Sequence, residues 1–270
     1  MDQHSSGKQF LYRRTSTMNA LLRRPAIFTR FPHLTAAEST RHGGVSPTPY
    51  HSLNLGKSTG DSPENVAENR RRFCTALGFE SAQLAWSKQV HGDLIWSLTQ
   101  PGGAEGFDAL VTASPGVLLT VSVADCVPVL IFDSKNEAVA AIHAGWRGTV
   151  VGIVRKTMEH MATQFGTQAA DCFAYIGTCI DECSFEVGEE VAEAFDEAFK
   201  RWDTERSKFF IDLKKANAAQ LYAFGIPASQ VEISPYSTVL HNADYFSHRL
   251  EKGMTGRMMG GIGLLKVPAA

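Results

Sequence analysis

Three short hydrophobic runs separated by polar residues dominate the middle of the chain. Val117–Ala124 and Val127–Phe132 are continuous apolar runs rich in β-branched residues, and each is too short for a buried helix. Each run is therefore predicted to be a strand buried on both faces. A polar turn follows the second run, and Glu137–His143 is predicted to form a third strand.

Two reactive side chains stand at the ends of these predicted strands. Cys126 comes just before the second strand and His143 closes the third, at similar distances from the polar turn between them. If these two strands pair as a hairpin, the thiol and the imidazole meet at its open end. Such a pair can bind a soft or borderline metal, or it can act as nucleophile and base.

The remaining segments mix helical and extended patterns without strict alternation. Ser62, Pro63 and an acidic first turn predict a helix that ends at Gly78, and its Arg70–Arg72 cluster is interpreted as a solvent-exposed face. The mixed order favours one α+β domain, with a mixed sheet and helices on its outside. Further strands are predicted at Ala26–Phe31, Gln83–Ser87, Leu94–Leu98, Phe107–Thr112, Cys172–Ile176, Val231–Ile233 and Met258–Leu265, further helices at Val150–Phe165, Glu189–Phe199 and from Asp212 to Phe224, and a loop at Pro101–Gly103.

Composition and charge narrow the class of protein. An apolar content of 44% and a charged content of 20% are typical of a globular domain, and a net charge of -2 gives no support for a nucleic-acid or membrane partner. No apolar run approaches the roughly 20 residues that cross a bilayer. The cysteines are odd in number and widely spaced, which indicates reduced thiols in a cytoplasmic protein. Residues 1–24 are interpreted as a disordered leader, with a transit peptide as the alternative, before a single domain at residues 25–270.

A third candidate ligand, His91, is bounded by glycine and is predicted to lie in a turn. With Cys126 and His143 it would form a His₂Cys set with an open fourth position, the ligand pattern of catalytic zinc. No CxxC or HExxH motif supports a metal independently, and Cys179 and Cys183 are interpreted as small core residues.

A loop at Ser39–Ser46 also has the character of a ligand-binding segment. Arg41 and His42 precede two glycines there, and glycine permits positive φ and a close approach of the backbone to a ligand. The alternative is a tight turn with a solvated histidine. Asp108 lies inside an apolar run, which indicates a buried partner or a ligand.

Several blocks of the chain resemble the YfiH/laccase-domain family. The resemblance covers about residues 39 to 264, so residues 1–24 lie outside it. Two positions depart from the usual family pattern, Thr178 where proline is frequent and Ser237 where cysteine is frequent. The matching blocks, in chain order, are STRHGGVS, KQVHGD, DALVT, SVADCVPVLIFD, AAIHAGWRGTV, IGTCI followed by FEVG, DLKKAN and TGRMMGGIGL.

The resemblance implies an α+β fold, a mixed β-sandwich core flanked by helices, similar to the YfiH-like cysteine hydrolase fold. It assigns a metal to His91, Cys126 and His143. Members are described as purine nucleoside phosphorylases that convert adenosine, inosine or methylthioadenosine plus phosphate into the base and ribose 1-phosphate, with adenosine deaminase activity. The family is also named for multicopper polyphenol oxidases, and a bacterial member is tied to peptidoglycan editing.

The histidine content argues against multicopper chemistry. Such an oxidase needs a blue copper site and a trinuclear cluster, whereas the nine histidines here include no H-x-H pair. We therefore expect a single zinc-like ion at the three ligands. Copper is an alternative at the same ligands, because Cu²⁺ binds nitrogen and sulfur sites more tightly than Zn²⁺ does.

The implied reactions need a phosphate site and a proton-transfer group. Arg41, Arg147 and Arg257 are the candidates to bind phosphate, since a guanidinium binds oxyanions in a bidentate manner. Arg41 and Arg257 are assigned to substrate binding and Arg147 to the catalytic set, because it follows the metal ligands at a predicted helix start. His42 or Asp125 is the candidate proton shuttle for deamination.

Two alternatives of other classes stay open. One is a metal-free hydrolase in which Cys126 is the nucleophile and His143 the base. The other is a protein without enzymatic activity that binds a partner. In every case we expect a cytoplasmic monomer or weak homodimer.

Overall fold

The computed structural model describes residues 20–266 and shows two six-stranded sheets, a small third sheet and helices on the outside. This arrangement confirms the predicted α+β class. The helices are α1 (Pro63–Ala76), α2 (Trp146–Val150), α3 (Ile153–Phe165), α4 (Glu189–Ala192) and α5 (Leu213–Phe224). The strands are β1 (Leu22–Arg23), β2 (Leu34–Ser39), β3 (Leu84–Lys88), β4 (Ile95–Ser97), β5 (Gly102–Glu105), β6 (Ala109–Thr112), β7 (Leu118–Val123), β8 (Val127–Asp133), β9 (Ala138–Ala144), β10 (Cys172–Ile176), β11 (Glu186–Val187), β12 (Lys200–Asp203), β13 (Lys208–Ile211), β14 (Val231–Ile233) and β15 (Met258–Leu264).

Both large sheets are mixed in strand direction. The first has the order β1-β2-β15-β7-β3-β5, in which β3 pairs in parallel with β5 and β7 while β15 runs antiparallel to its neighbours. The second has the order β14-β10-β8-β9-β6-β4, with parallel pairs at its two edges and antiparallel pairs in its centre. The third sheet, β11-β13-β12, is antiparallel throughout.

The core lies between the two large sheets and beneath the helices. Leu119 and Ile262 of the first sheet pack with Leu130 of the second. The next residue along β8, Ile131, faces the opposite way and packs in a cluster with Met158 of α3. Because side chains alternate across a strand, burial of both faces explains why β8 reads as an unbroken hydrophobic run. On the far side, α1 covers the outer face of the first sheet.

The N-terminal part of the described chain belongs to a sheet. Leu22 and Arg23 form β1 and pair antiparallel with β2. The rest of the predicted leader, residues 1–19, lies outside the described residues. Within residues 20–266, no helix combines the length and the apolar character that crossing a membrane requires.

One predicted strand is wrong, and several strands, β2 among them, were not predicted. Ala26–Phe28 forms a 3₁₀ turn, so the strand predicted at Ala26–Phe31 is absent there. The strand follows later, as β2 at Leu34–Ser39, and all of its residues are buried. Two alanines and a buried Glu38 give this segment neither an alternating pattern nor a strongly hydrophobic one, which is why the strand signal is weak.

The helix predicted at Glu189–Phe199 is also wrong, because α4 stops after Ala192. The Asp196 side chain accepts the backbone N–H of Ala198 and begins a 3₁₀ turn instead. A short polar side chain that bonds to nearby backbone groups competes with the helical hydrogen bonds.

The helix predicted at Val150–Phe165 begins at Ile153 as α3, and a separate short helix, α2, precedes it. Gly152 has a φ of 77°, in the left-handed region that favours glycine, and it separates α2 from α3. The loop predicted at Pro101–Gly103 contributes two residues to the edge strand β5.

Two side chains lie in environments opposite to those predicted. Arg70 is 7% exposed and its Nε donates to the carbonyl of Leu55, so it does not belong to a solvent-exposed face. Cys183 is exposed rather than a core residue, whereas Cys179 is buried as predicted.

Candidate functional site

The predicted hairpin between the second and third central strands is present as β8 and β9. Val127 pairs with Ala144 and Pro128 pairs with His143, so the residue before β8, Cys126, lies at the same end as His143. Gly145 continues the chain past this point, and a Cβ on it would lie 3.2 Å from the sulfur of Cys126. The close approach of backbone and ligands therefore favours glycine here.

His91 reaches the hairpin from a tight turn after β3. Its φ of 61° is in the left-handed region, and this conformation is supported by Asp108, which is fully buried. The Asp108 carboxylate accepts the backbone N–H groups of Val90, His91 and Gly92 at 3.1, 3.0 and 2.8 Å. One carboxylate thus fixes three consecutive residues of the turn.

The same carboxylate orients the second histidine. Asp108 Oδ1 lies 2.7 Å from Nδ1 of His143, whose side chain is 3% exposed. An ionised carboxylate only accepts hydrogen bonds, so Nδ1 carries the proton and Nε2 is left for a ligand. Burial alone would raise the pKa of Asp108, but the hydrogen bond and charge of His143 and the backbone N–H groups hold it below its ordinary value.

The three predicted ligands come together as a group that can hold a metal ion. The ligand atoms of His91, Cys126 and His143 all lie within 4.8 Å of one another, and the two imidazole rings meet edge to face. Around one zinc ion such atoms are about 3.3–3.8 Å apart, since each is about 2.0–2.3 Å from the metal. Small side-chain rotations would therefore close the group around an ion, and two imidazoles with one thiolate are the donors that zinc and copper prefer.

The thiol in this group is activated. Burial by itself would raise the pKa of Cys126, but the positive charge and hydrogen bonds of His143 and His91 lower it to about 6. In the metal-free protein the thiolate and Asp108 in turn raise the pKa of His143 to about 9, against the opposing effect of burial. The thiolate is the form that binds a metal and the form that attacks an electrophile.

A cavity of about 620 Å³ opens over the three ligands. Its size suits a small organic substrate such as a nucleoside. The cavity lining is rich in basic side chains. Its acidic residues are Asp125 and Glu105, and Glu105 pairs with Lys88. The basic residues that line it are Lys57, Arg70, Lys88, Arg249 and Arg257, together with His248.

Two of the other predicted site residues line this cavity. Asp125 has a φ of 84°, and its carboxylate accepts the hydroxyl of Thr238 at 2.5 Å and the backbone N–H of Arg249 at 2.6 Å. Arg257 donates from Nη1 to the carbonyls of Thr255 and Gly256, both at 2.9 Å. Burial lowers the pKa of Arg257, and the negative charges of Asp125 and Cys126 partly offset this effect.

The structure does not bring Arg41, His42 or Arg147 to the cavity wall. Arg41 pairs with Glu251 at 3.1 Å, and His42 bonds to Asp244 at 2.8 Å. Arg147 is exposed, and its guanidinium lies 4.4 Å from the ring centroid of Trp146.

Sequence reasoning missed Lys57 and Arg70 as cavity residues. Lys57 had no distinguishing pattern around it, and Arg70 lay in a run of three arginines typical of an exposed helix face. The apolar residues on either side of Asp108 in the sequence did indicate that its side chain is buried.

A thiolate between two imidazoles, at the wall of a basic cavity, defines a metal-binding or cysteine-dependent class of enzyme site. The family model described as "Multi-copper polyphenol oxidoreductase laccase" matches residues 35–265. The chain therefore belongs to the YfiH/laccase-domain family, as the sequence blocks predicted.

Relatives with assigned names support this membership. A protein of Bacteroides thetaiotaomicron named purine nucleoside phosphorylase is 41% identical over 83% of this chain and 89% of its own length. One of Deinococcus radiodurans with the same name is 42% identical over 90% of this chain and 92% of its own. Among solved structures, YlmD from Geobacillus stearothermophilus is similar with a TM-score of 0.86 at 32% identity, over 93% of this chain and 98% of that one.

Proposed function

We propose that this protein is a metal-dependent purine nucleoside phosphorylase, which converts adenosine, inosine or methylthioadenosine plus phosphate into the base and ribose 1-phosphate. The observation that carries the proposal is the convergence of His91, Cys126 and His143 on one wall of a basic cavity of nucleoside size. The names of the relatives support the same reaction.

Each residue of the site has a role in this proposal. His91, Cys126 and His143 would hold zinc, or copper as the alternative, and the bound metal supplies a Lewis acid that polarises a substrate oxygen. Asp108 binds Nδ1 of His143, which leaves Nε2 of that ring as the nitrogen for the metal. Arg257 supplies positive charge for phosphate, and it is the one predicted arginine that lines the cavity.

The proposal includes adenosine deamination, in which water replaces the amino group of the base. Asp125 is our candidate proton shuttle, because it lies beside Cys126 in the cavity wall and its carboxylate is held by Thr238 and Arg249. The other predicted shuttle, His42, does not line the cavity. We further propose that the enzyme acts in the cytoplasm as a monomer or weak homodimer.

A metal-free cysteine hydrolase is the second candidate function, and one observation favours it. Cys126, His143 and Asp108 have the arrangement of a nucleophile, its base and the carboxylate that orients the base. Polyphenol oxidation has less support. Within residues 20–266, His91, Cys126 and His143 are the single group of at least three side chains placed to hold a metal, and one such site does not assemble a four-copper relay.

The deciding experiment measures metal content and nucleoside turnover on the same preparations. Cys126→Ala should lose most of the bound zinc, since two imidazoles hold zinc weakly, and phosphate-dependent release of base should fall by more than about 100-fold. Cys183→Ala is the matched control, because this thiol is exposed. Base and ribose 1-phosphate are measured by chromatography.

Two results would contradict a metal-dependent phosphorylase. Release of base at the wild-type rate by Cys126→Ala would show that the three metal ligands take no part in the reaction. Hydrolytic activity that is unchanged after chelation of the metal but is lost in Cys126→Ala would identify the cysteine hydrolase instead.

A further inference from the structure

Residues 56–59 of the loop at 54–59 line one wall of the cavity, and the loop is hydrogen-bonded to two arginines. The backbone N–H of Leu55 donates to the carbonyl of Arg257 at 3.0 Å, and the carbonyl of Leu55 accepts Nε of Arg70 at 2.9 Å. Asn54 is fully buried and its side-chain oxygen accepts the backbone N–H groups of Gly56 and Arg257. The loop is therefore bound to the backbone of Arg257 and to the side chain of Arg70.

Gly56 lets the Arg257 side chain pass close to this loop. A Cβ at Gly56 would lie 2.5 Å from Cγ of Arg257, which no real side chain tolerates. Lys57 is the next residue, so a third basic side chain projects from the same wall.

Trp86 supports the positive charges on this wall. The Lys57 ammonium lies 3.7 Å from the centroid of the Trp86 ring, and the Arg70 guanidinium lies 5.5 Å from it. The indole also packs on Gly103, where a Cβ would lie 2.5 Å from Cζ2. Because the ring is contacted by Lys57 and by this backbone, it positions cations rather than offering an open surface for a purine.

None of the three cations forms a close ion pair in the described part of the chain. Within residues 20–266, no carboxylate oxygen lies within 4.0 Å of the charged nitrogens of Lys57, Arg70 or Arg257. Desolvation and the charge of Arg70 lower the pKa of Lys57, and burial lowers the pKa of Arg70 to about 10. Like charges held together in this way are stabilised when an anion binds between them.

We propose that Lys57, Arg70 and Arg257 form the binding site for a phosphate oxyanion, in the same cavity as the three metal ligands. Two guanidiniums can each bind an oxyanion through paired N–H groups, and the lysine adds a mobile point charge. Naming inorganic phosphate as the physiological ligand rests on the proposed phosphorylase function. The anion site itself rests on the contacts and charges above.

In the reaction, a phosphate oxygen forms a bond to C1′ of the ribose while the bond from C1′ to the purine nitrogen breaks. The bonding electrons leave with the base, and the proton of hydrogen phosphate ends on the base. A phosphate held by the three cations approaches the sugar in the cavity that also contains the metal ligands.

The test measures binding of inorganic phosphate to the zinc-loaded protein by titration calorimetry, and the Michaelis constants of phosphate and inosine by chromatography. Lys57→Gln and Arg70→Gln should each weaken phosphate binding by about tenfold or more, the loss typical of one charge-assisted hydrogen bond. The Michaelis constant of phosphate should rise in parallel, while that of inosine and the zinc content stay within about twofold.

Arg71→Gln is the matched control, since Arg71 is the next residue on α1 and pairs with Glu68 on the surface. Lys57 is exposed, so its substitution tests the site even if replacement of the buried Arg70 prevents folding. A second arm replaces inorganic phosphate with adenosine monophosphate. Tighter, Lys57-dependent binding of the monophosphate alone would overturn inorganic phosphate as the ligand.

The two proposals fail in different ways. Phosphate binding that depends on Lys57, in a protein that cleaves no nucleoside, would support the anion site and contradict the phosphorylase. Nucleoside cleavage with unchanged phosphate binding in both Lys57→Gln and Arg70→Gln would overturn the anion site.

Discussion

At the scale of single residues, Asp108 organises the candidate metal centre. Its carboxylate receives one imidazole and three backbone N–H groups, so it fixes both the orientation of His143 and the turn that carries His91. Residues that hydrogen-bond to metal ligands commonly control metal affinity, and replacing one typically lowers it by about 10- to 100-fold. Asp108 is therefore a positioning residue for two of the three ligands.

Asp108→Asn should lower zinc affinity by about 10- to 100-fold, because an amide nitrogen cannot accept the N–H groups that the carboxylate accepts. Zinc affinity is measured by competition with a chromophoric chelator. Asp133→Asn is the matched control, since Asp133 is equally buried and accepts backbone N–H groups at the opposite end of the same hairpin. An equal loss of affinity in both variants would mean that Asp108 acts through general stability.

At the scale of elements, Glu38 links the two large sheets. It lies on β2 of the first sheet and accepts the backbone N–H of Thr178 at 2.7 Å and its hydroxyl at 2.5 Å, just after β10 of the second. The hydroxyl of Tyr245 also reaches it, at 3.3 Å. Burial raises the pKa of Glu38, and the hydrogen bonds from Thr178 oppose this effect without cancelling it.

The raised pKa predicts how stability depends on pH. Between the unfolded pKa near 4.5 and the higher folded pKa, the folded protein binds more protons than the unfolded chain. The contribution of Glu38 to stability is therefore fully present below the unfolded pKa and is lost as pH rises through the folded one. The slope from one group is at most about 1.4 kcal/mol per pH unit.

Glu38→Gln should remove this part of the pH dependence, because the amide is nearly equal in shape to the carboxyl group and does not titrate. We expect the variant to be less stable than, or equal to, wild type at acid pH and relatively more stable at pH 8. Urea unfolding across this range measures the difference. A stability difference that does not change with pH would show that Glu38 titrates alike in the folded and unfolded chains.

At the scale of the whole molecule, the candidate metal centre joins the two sheets. His91 follows β3 of the first sheet, whereas Cys126 and His143 belong to the hairpin of the second. A metal bound by all three would connect them, and a ligand that binds only the folded state stabilises it by mass action.

Zinc should therefore raise the melting temperature of the protein. At a free concentration 100 times the dissociation constant the gain is about 2.7 kcal/mol, which corresponds to about 5 °C or more for a chain of this size. Calorimetry with and without zinc measures the shift, and Cys126→Ala should show little of it. A shift of the same size in that variant would place the zinc elsewhere.

The sequence by itself determined the central strands, their hairpin and the candidate metal-ligand set. These features depend on short-range patterns, since an unbroken β-branched run, a polar turn and near-symmetrical strands already bring Cys126 and His143 to one end. His91 was identified from its glycine-bounded turn, and the family blocks assign a metal to the same three residues. Local pattern also identified α1 and α5, whose capping residues lie next to the helices they begin.

Only the tertiary structure decided which charges face the cavity. Arg41, Arg147 and Arg257 looked alike as loop arginines beside glycine, yet Arg257 alone among them lines the cavity, and Arg70 joins it from a helix that appeared solvent-exposed. The physical reason is that the position of a charge depends on packing between distant segments, here the loop at 54–59 against α1 and the residues before β15. No periodicity within one segment carries that information.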